Sequence, residues 1–234
     1  MDVEHALPEG EHLANLVRRI DRPIVLVGMM GVGKTSLGRK LAALLGVAFI
    51  DADEAIEEAA QMTIPEIFAA HGEAYFRDGE RRVIARLLGE SDSLAGATPA
   101  LRQPSQPAAR TAGLKIISTG GGAFCHPQTR DLILKRGIAV WLDADLDTLV
   151  ERTSRKDNRP LLRGGNPRDI LARLKAERRP HYAQAPIHIM SGNGPHSRAM
   201  ARVLAEIEKW LVTAEPLPKT APAAPSPAAP IQES

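Results

Sequence analysis

The chain has 234 residues, 44% of them hydrophobic and 25% charged, with a formal net charge of +2. That is enough apolar material for a globular core, and the near balance of charge excludes the broad basic field of a nucleic-acid or anionic-membrane binder. Aromatic residues make up only 3%, which leaves few platforms for stacking bases, and the single cysteine, Cys125, excludes an internal disulfide.

One free cysteine suits a reducing compartment. The beginning of the chain, with Asp2 and Glu4, reads as neither a signal nor a transit peptide. No run of about 18 apolar residues occurs to span a membrane. A cytoplasmic protein without nucleic-acid or membrane partners is expected.

In chain order, residues 1–20 read as a polar leader with one amphipathic surface helix through Leu13, Leu16, Val17 and Ile20. Arg22-Pro23 precedes a first strand at 24–27. Then comes Gly28-Met29-Met30-Gly31-Val32-Gly33-Lys34-Thr35, of the form G-x-x-x-x-G-K-S/T, followed by a helical pattern with Leu37, Leu41, Leu44 and Leu45 on one face. Strand, glycine-rich turn and helix together make a phosphate-binding loop. Its backbone N–H groups turn inward as an anion nest, and the helix N-terminus adds partial positive charge. In such a loop Lys34 reaches the β- and γ-phosphates and the Thr35 hydroxyl sits on Mg²⁺. Gly46 is a natural left-handed cap for the helix.

A second strand at 47–50 runs into Asp51-Ala52-Asp53. At period two both carboxylates would face one way, one toward Mg²⁺ and one toward a substrate hydroxyl; the competing reading is that either aspartate caps the next helix. Helical patterns follow at 54–61, 64–71 and 73–88. In the last, Arg77 and Glu80 stand at i, i+3, which suits either a surface ion pair or an arginine held to bind an anionic substrate. Residues 90–113, rich in Ser, Ala, Gly, Pro and Thr, read as a surface insertion.

A strand at 114–118 ends in Thr119-Gly120-Gly121-Gly122. Three consecutive glycines cost backbone entropy, so close approach of backbone to ligand is the favoured reason for them. Helix 127–136, strand 138–142, helix 146–153, helix 167–178, strand 186–190 and helix 196–212 complete the pattern, and 214–234 is a Pro/Ala-rich tail expected to be disordered. Asp143 also ends a strand and is a lesser candidate metal ligand, while Asp145 and Asp147 look like helix-start residues. Residues 153–166 are polar and contain Arg159, Pro160 and Gly164-Gly165. Those are features of a lid that closes over a nucleotide.

Strands alternating with helices predict an α/β fold: a five-stranded parallel sheet with helices on both faces, in one domain over 21–213. Ligands of such sheets bind beyond the strand carboxyl ends. The loop at 28–35, Asp51 to Asp53 and Gly120 to Gly122 should therefore meet in one crevice.

These pieces resemble the shikimate kinase family. In order they are the 28–35 loop, Asp51-Ala52-Asp53, Phe76-Arg77-x-x-Glu80, Thr119-Gly120-Gly121-Gly122, Arg159-Pro160-Leu161-Leu162 and Glu177-Arg178-Arg179-Pro180-His181-Tyr182. The resemblance implies a nucleoside-monophosphate-kinase-like P-loop fold with core, substrate-binding and lid regions. It implies transfer of the γ-phosphoryl group of ATP to the 3-hydroxyl of shikimate, with Mg²⁺, by a monomer.

By the same likeness Lys34, Asp53 and Arg159 carry catalysis. Gly31, Val32, Gly33, Lys34, Thr35, Ser36, Arg152 and Arg159 bind nucleotide, with Arg152 against adenine and Pro195 in the adenine loop. Asp53, Arg77, Gly121, Gly122 and Arg178 bind shikimate, the two arginines clamping its carboxylate and Glu80 steadying Arg77. Thr35 and, through water, Asp51 hold Mg²⁺. The leader, the 90–113 insertion and the tail depart from the family pattern without removing any of these residues. The rival readings are a gluconate kinase of the same fold and a non-enzymatic nucleotide-binding module.

Overall fold

The computed structural model of the chain describes residues 7–89, 114–154, 165–192, 194 and 196–214. The expected insertion, nearly all of the lid with Arg159, Pro195 and the tail beyond 214 lie outside the described residues.

The centre of the fold is β1 (Ile24–Val27), four apolar residues all buried. A strand apolar on both faces must be covered on both, as in a parallel sheet between helices. Parallel neighbours β3 (Lys115–Ser118) and β4 (Ile138–Asp143) flank it, with β2 (Ala48–Asp51) and β5 (Ile187–Met190) at the edges, giving the order β2-β3-β1-β4-β5. The five parallel strands are those expected, with boundaries within a residue or two.

Register matters for function. Asp51 lies opposite Ser118, and Ser118 opposite Leu26. The loops that leave β1, β2 and β3 thus emerge side by side. From β1 the chain crosses toward β2, whereas from β3 it crosses the other way to β4. Right-handed crossovers in opposite directions put their helices on opposite faces, so a crevice opens between the carboxyl ends of β1 and β3.

Helix α1 (Gly10–Arg19) is the expected amphipathic helix. Leu16 and, just beyond it, Ile20 are buried in the main core, which places this part of the leader on the same body as the sheet. Helix α2 (Lys34–Leu45) buries Leu37, Leu41 and Leu45 at i, i+4, i+8 and ends on left-handed Gly46. Helices α3 (Ala52–Ala60) and α4 (Ile64–Leu87) form a smaller apolar cluster of Ile56, Ile67, Phe76 and Val83. The two helices read at 64–71 and 73–88 are joined as α4 with a break at Gly72 (φ 77°, ψ 178°).

A short 3₁₀ turn, Ala123–Cys125, leads into α5 (Pro127–Arg136); α6 (Leu146–Ser154), α7 (Pro167–Tyr182) and α8 (His196–Thr213) follow. Helix α7 runs one turn beyond the expected end at 178, through Pro180. A proline inside a helix removes a hydrogen bond and signals a stop. Here burial of Tyr182, only 2% exposed, holds the last turn in place.

Candidate active site

The site begins with the loop between β1 and α2. Gly33, at φ 93°, caps α2 and turns the chain so that Lys34 opens the helix. The Lys34 ammonium is buried and donates to the carbonyls of Gly28 (2.8 Å) and Met29 (2.9 Å), so the loop curls around its own lysine. The Thr35 hydroxyl donates to Asp51 Oδ2 at 2.9 Å.

Asp51 faces two ways. Its Oδ1 accepts the backbone N–H of Asp53 at 3.1 Å and caps α3, while Oδ2 holds Thr35. The capping reading thus holds for Asp51, and the same side chain also reaches the Thr35 hydroxyl. The period-two argument for the pair fails, because β2 ends at Asp51 and Asp53 lies in the first turn of α3. The two carboxylates approach through the helix cap.

The three glycines after β3 have a specific reason. A Cβ on Gly120 would stand 2.7 Å from Asp53 Oδ1 and 3.4 Å from Glu80 Oε1. One on Gly121 would stand 3.3 Å from an Arg178 guanidinium nitrogen, and one on Gly122 only 2.8 Å from both terminal nitrogens of Arg77. The turn is the surface on which Asp53, Arg178 and Arg77, from three separate helices, are packed.

Arg77 is anchored from beneath: its Nη1 donates to Glu80 Oε2 at 2.8 Å, and Glu80 is 1% exposed. Burial raises the Glu80 carboxyl above its ordinary range while Arg77 pulls it back. Burial works against the Arg77 charge, but Glu80 and Glu73 outweigh it and hold the guanidinium charged. The surface-pair reading fails for a carboxylate this buried; the pair is a fixed arginine. Arg178 Nη1 donates to the Gly121 carbonyl at 3.1 Å.

The Asp53 carboxyl is pushed up to about 6, by burial first and then by Asp51 and Glu80, with Lys34 pulling the other way. Asp53, Lys34, Thr35, Ser36, Asp51 and Gly121 share one cavity of about 360 Å³, with Gly31, Gly33 and Arg152 also on its wall. Arg152 donates to the carbonyls of Val32 (3.4 Å) and Gly192 (2.8 Å). Segments more than 80 residues apart in sequence thus meet as the strand ends require.

Asp143 is not in the lining of this cavity. Its Oδ1 accepts Lys175 Nζ at 2.9 Å and the N–H of Ala144, which occupies it as an anchor for α7 rather than a metal ligand. Asp145 does start a helix, accepting from Thr148 N at 2.7 Å. Met30, Ser118 and Thr119 also line the cavity and had no role in the sequence reading. Met30 and Thr119 lie inside the named motifs and Ser118 directly before one, which was the available signal.

Thr35 and Asp51 offer hard oxygen donors 2.9 Å apart on the cavity wall. They fit Mg²⁺, which takes few protein ligands and keeps several waters. Among the described residues no cluster of three or more His, Cys, Asp or Glu side chains forms a metal cage.

A phosphate loop at the carboxyl edge of a parallel sheet, sharing a cavity with Asp53 and with a glycine turn on which Arg77 and Arg178 pack from outside the cavity lining, defines a P-loop kinase of small molecules. The family model described as Shikimate kinase matches residues 30–97 and 106–208. The shikimate kinase of Novosphingobium aromaticivorans is 59% identical over 211 residues, covering 90% of this chain and 100% of that one. That of Rhodopseudomonas palustris is 45% identical, covering 85% and 87%. Among solved structures, a shikimate kinase from Acinetobacter baumannii in complex with shikimate is 34% identical with a TM-score of 0.64, covering 80% of this chain and 93% of the other. The chain belongs to the shikimate kinase family of ATP-dependent kinases.

Proposed function

We propose that this site transfers the γ-phosphoryl group of ATP to the 3-hydroxyl of shikimate, giving shikimate 3-phosphate and ADP on the route to chorismate and the aromatic amino acids. The single observation that carries the reading is the glycine turn packed against Asp53, Arg77 and Arg178 beside the phosphate loop. It presents a carboxylate to orient a hydroxyl and two cations beside the phosphate loop, which suits a compact hydroxylated ring acid.

Phosphoryl transfer asks mainly for positioning and charge neutralisation. The backbone N–H groups of Gly31, Val32, Gly33, Lys34, Thr35 and Ser36 cradle the phosphates, and the Lys34 ammonium leaves its carbonyl partners for the β- and γ-phosphates. Bound Mg²⁺ supplies further neutralisation there, held by Thr35 and, through water, by Asp51. Arg152, beside Gly33, serves adenine, and Arg159 serves the phosphates.

On the acceptor side Arg77 and Arg178 clamp the carboxylate, with Gly121 and Gly122 giving close backbone approach. Each charge-assisted hydrogen bond of this kind contributes about 1.5–3 kcal/mol. Asp53 then orients the 3-hydroxyl and takes its proton. No helix among the described residues is long and apolar enough to cross a membrane. We take the enzyme to work as a cytoplasmic monomer.

Arg77→Ala tests the acceptor half of the site. It is expected to raise the KM for shikimate by about 30-fold or more, since it removes a charged hydrogen bond and leaves Glu80 buried without its partner. The KM for ATP should stay within about twofold. Equal increases for both substrates would contradict the assignment.

A further inference from the structure

The inward face of α7 carries Leu171, Lys175, Arg178 and Tyr182 at i, i+4, i+7 and i+11. Leu171 packs in the core, Lys175 is tied to Asp143 and to the carbonyl of Ala144, and Arg178 reaches the glycine turn. Tyr182 has been given no task so far. Its ring is buried and stacked 6.0 Å from Trp141, and its hydroxyl donates to the carbonyl of Gly121, the same oxygen that accepts Arg178 Nη1.

We infer that Tyr182 is a positioning residue for the acceptor site, fixing the Gly121 carbonyl so that Arg178 and the glycine turn hold the acceptor's carboxylate in register. This rests on the acceptor reading above. A hydroxyl buried this deeply needs a partner, and the one it has is a backbone oxygen at the middle of the turn that seats Asp53, Arg178 and Arg77.

Three side chains reach this carbonyl: the Cys125 thiol makes a long contact at 4.0 Å, whereas Arg178 and Tyr182 make the two close ones and take up its two lone-pair directions. Without Tyr182 the carbonyl keeps Arg178 and the long Cys125 contact, and the turn and the guanidinium could pivot together; with Tyr182 the turn is pinned to the last turn of α7. The Arg178 guanidinium and the Cys125 thiol border the same hydroxyl. Burial raises the phenol far above its ordinary value, so Tyr182 remains a donor throughout the working pH range. The neighbouring residue reinforces the dock: Arg130 Nη1 lies 3.4 Å from His181 Nδ1 and donates to the carbonyls of Phe124 (3.3 Å) and Cys125 (3.2 Å). That burial also accounts for the helix continuing past Pro180.

Tyr182→Phe removes the hydroxyl and keeps the ring against Trp141. The experiment first measures shikimate-dependent ADP release by the unaltered enzyme; its absence would reject the acceptor reading itself and leave no acceptor site for Tyr182 to position. With that activity in hand, the variant is expected to raise the shikimate KM about tenfold, with the ATP KM and the melting temperature little changed. In the double variant with Arg178→Lys the two effects should be less than additive, because both side chains act on one carbonyl. A shikimate KM within twofold of the parent, equal shifts for both substrates, or full additivity would overturn the proposal. A residue that only stabilises the fold would lower the melting temperature and leave the split between the two substrates unmoved.

Discussion

Lys34→Ala should collapse turnover, with kcat falling by about 10³-fold, the scale on which a preorganised donor aimed at developing charge operates in a water-poor site. The ammonium is buried at the start of α2 and held by the Gly28 and Met29 carbonyls of the loop. Alanine leaves the strand, the Gly33 cap and the helix intact, so the circular-dichroism melt should change little. The shikimate KM should move far less than kcat, since the role proposed for Lys34 is on the nucleotide. A variant with kcat within tenfold of the parent would remove Lys34 from the catalytic role.

Asp53→Asn is the second large effect, a loss in kcat of about 10²–10⁴-fold, the range of a positioned proton acceptor. Its pH dependence has two opposite signs. The parent's kcat/KM should rise through about pH 6 as Asp53 ionises, because only the carboxylate can accept the hydroxyl proton. Stability runs the other way. A carboxyl whose folded value lies above its unfolded value favours the fold below the unfolded value, and that contribution is lost as pH rises from about 4 to about 6. At neutral pH the parent therefore carries a strained, ionised Asp53, and the asparagine variant should melt no lower than the parent there. If the acidic limb of kcat/KM persists unshifted in the residual activity of the variant, Asp53 is not its source. If kcat is retained, Asp53 only orients the acceptor.

Much of this was legible in the sequence because local rules and the global fold agree. The phosphate loop follows from its own spelling plus the strand and helix beside it, and β1 and α5 fall at their expected positions. The convergence of Lys34, Asp53 and Gly121 was derivable from strand polarity alone, since every parallel strand delivers its loop to the same edge. What sequence spacing misjudged was the path at Asp51. The strand stops there because the aspartate caps α3, a tertiary choice that period-two logic does not register.

Other features needed coordinates because they depend on burial. Whether Arg77–Glu80 is a surface pair or an anchored cation turns on Glu80 lying on the buried face of α4, which spacing at i, i+3 leaves open. The glycine triplet announced close contact but not with what. Its neighbours come from α3, α4 and α7, and that is long-range packing. Tyr182 was hidden by Pro180, whose helix-stopping signal is overridden by the dock of the last turn. Asp143 shared every local mark of a strand-end metal ligand, and only Lys175, 32 residues away, shows it to be engaged elsewhere.

The most direct measurement is ADP release, coupled to an oxidisable readout, from ATP and Mg²⁺ with shikimate, gluconate or nucleoside monophosphates as the only acceptor. Turnover with shikimate, and background rates with the others, is the expected result. Turnover with gluconate and none with shikimate would contradict the ring-acid clamp proposed for Arg77, Arg178 and the glycine turn.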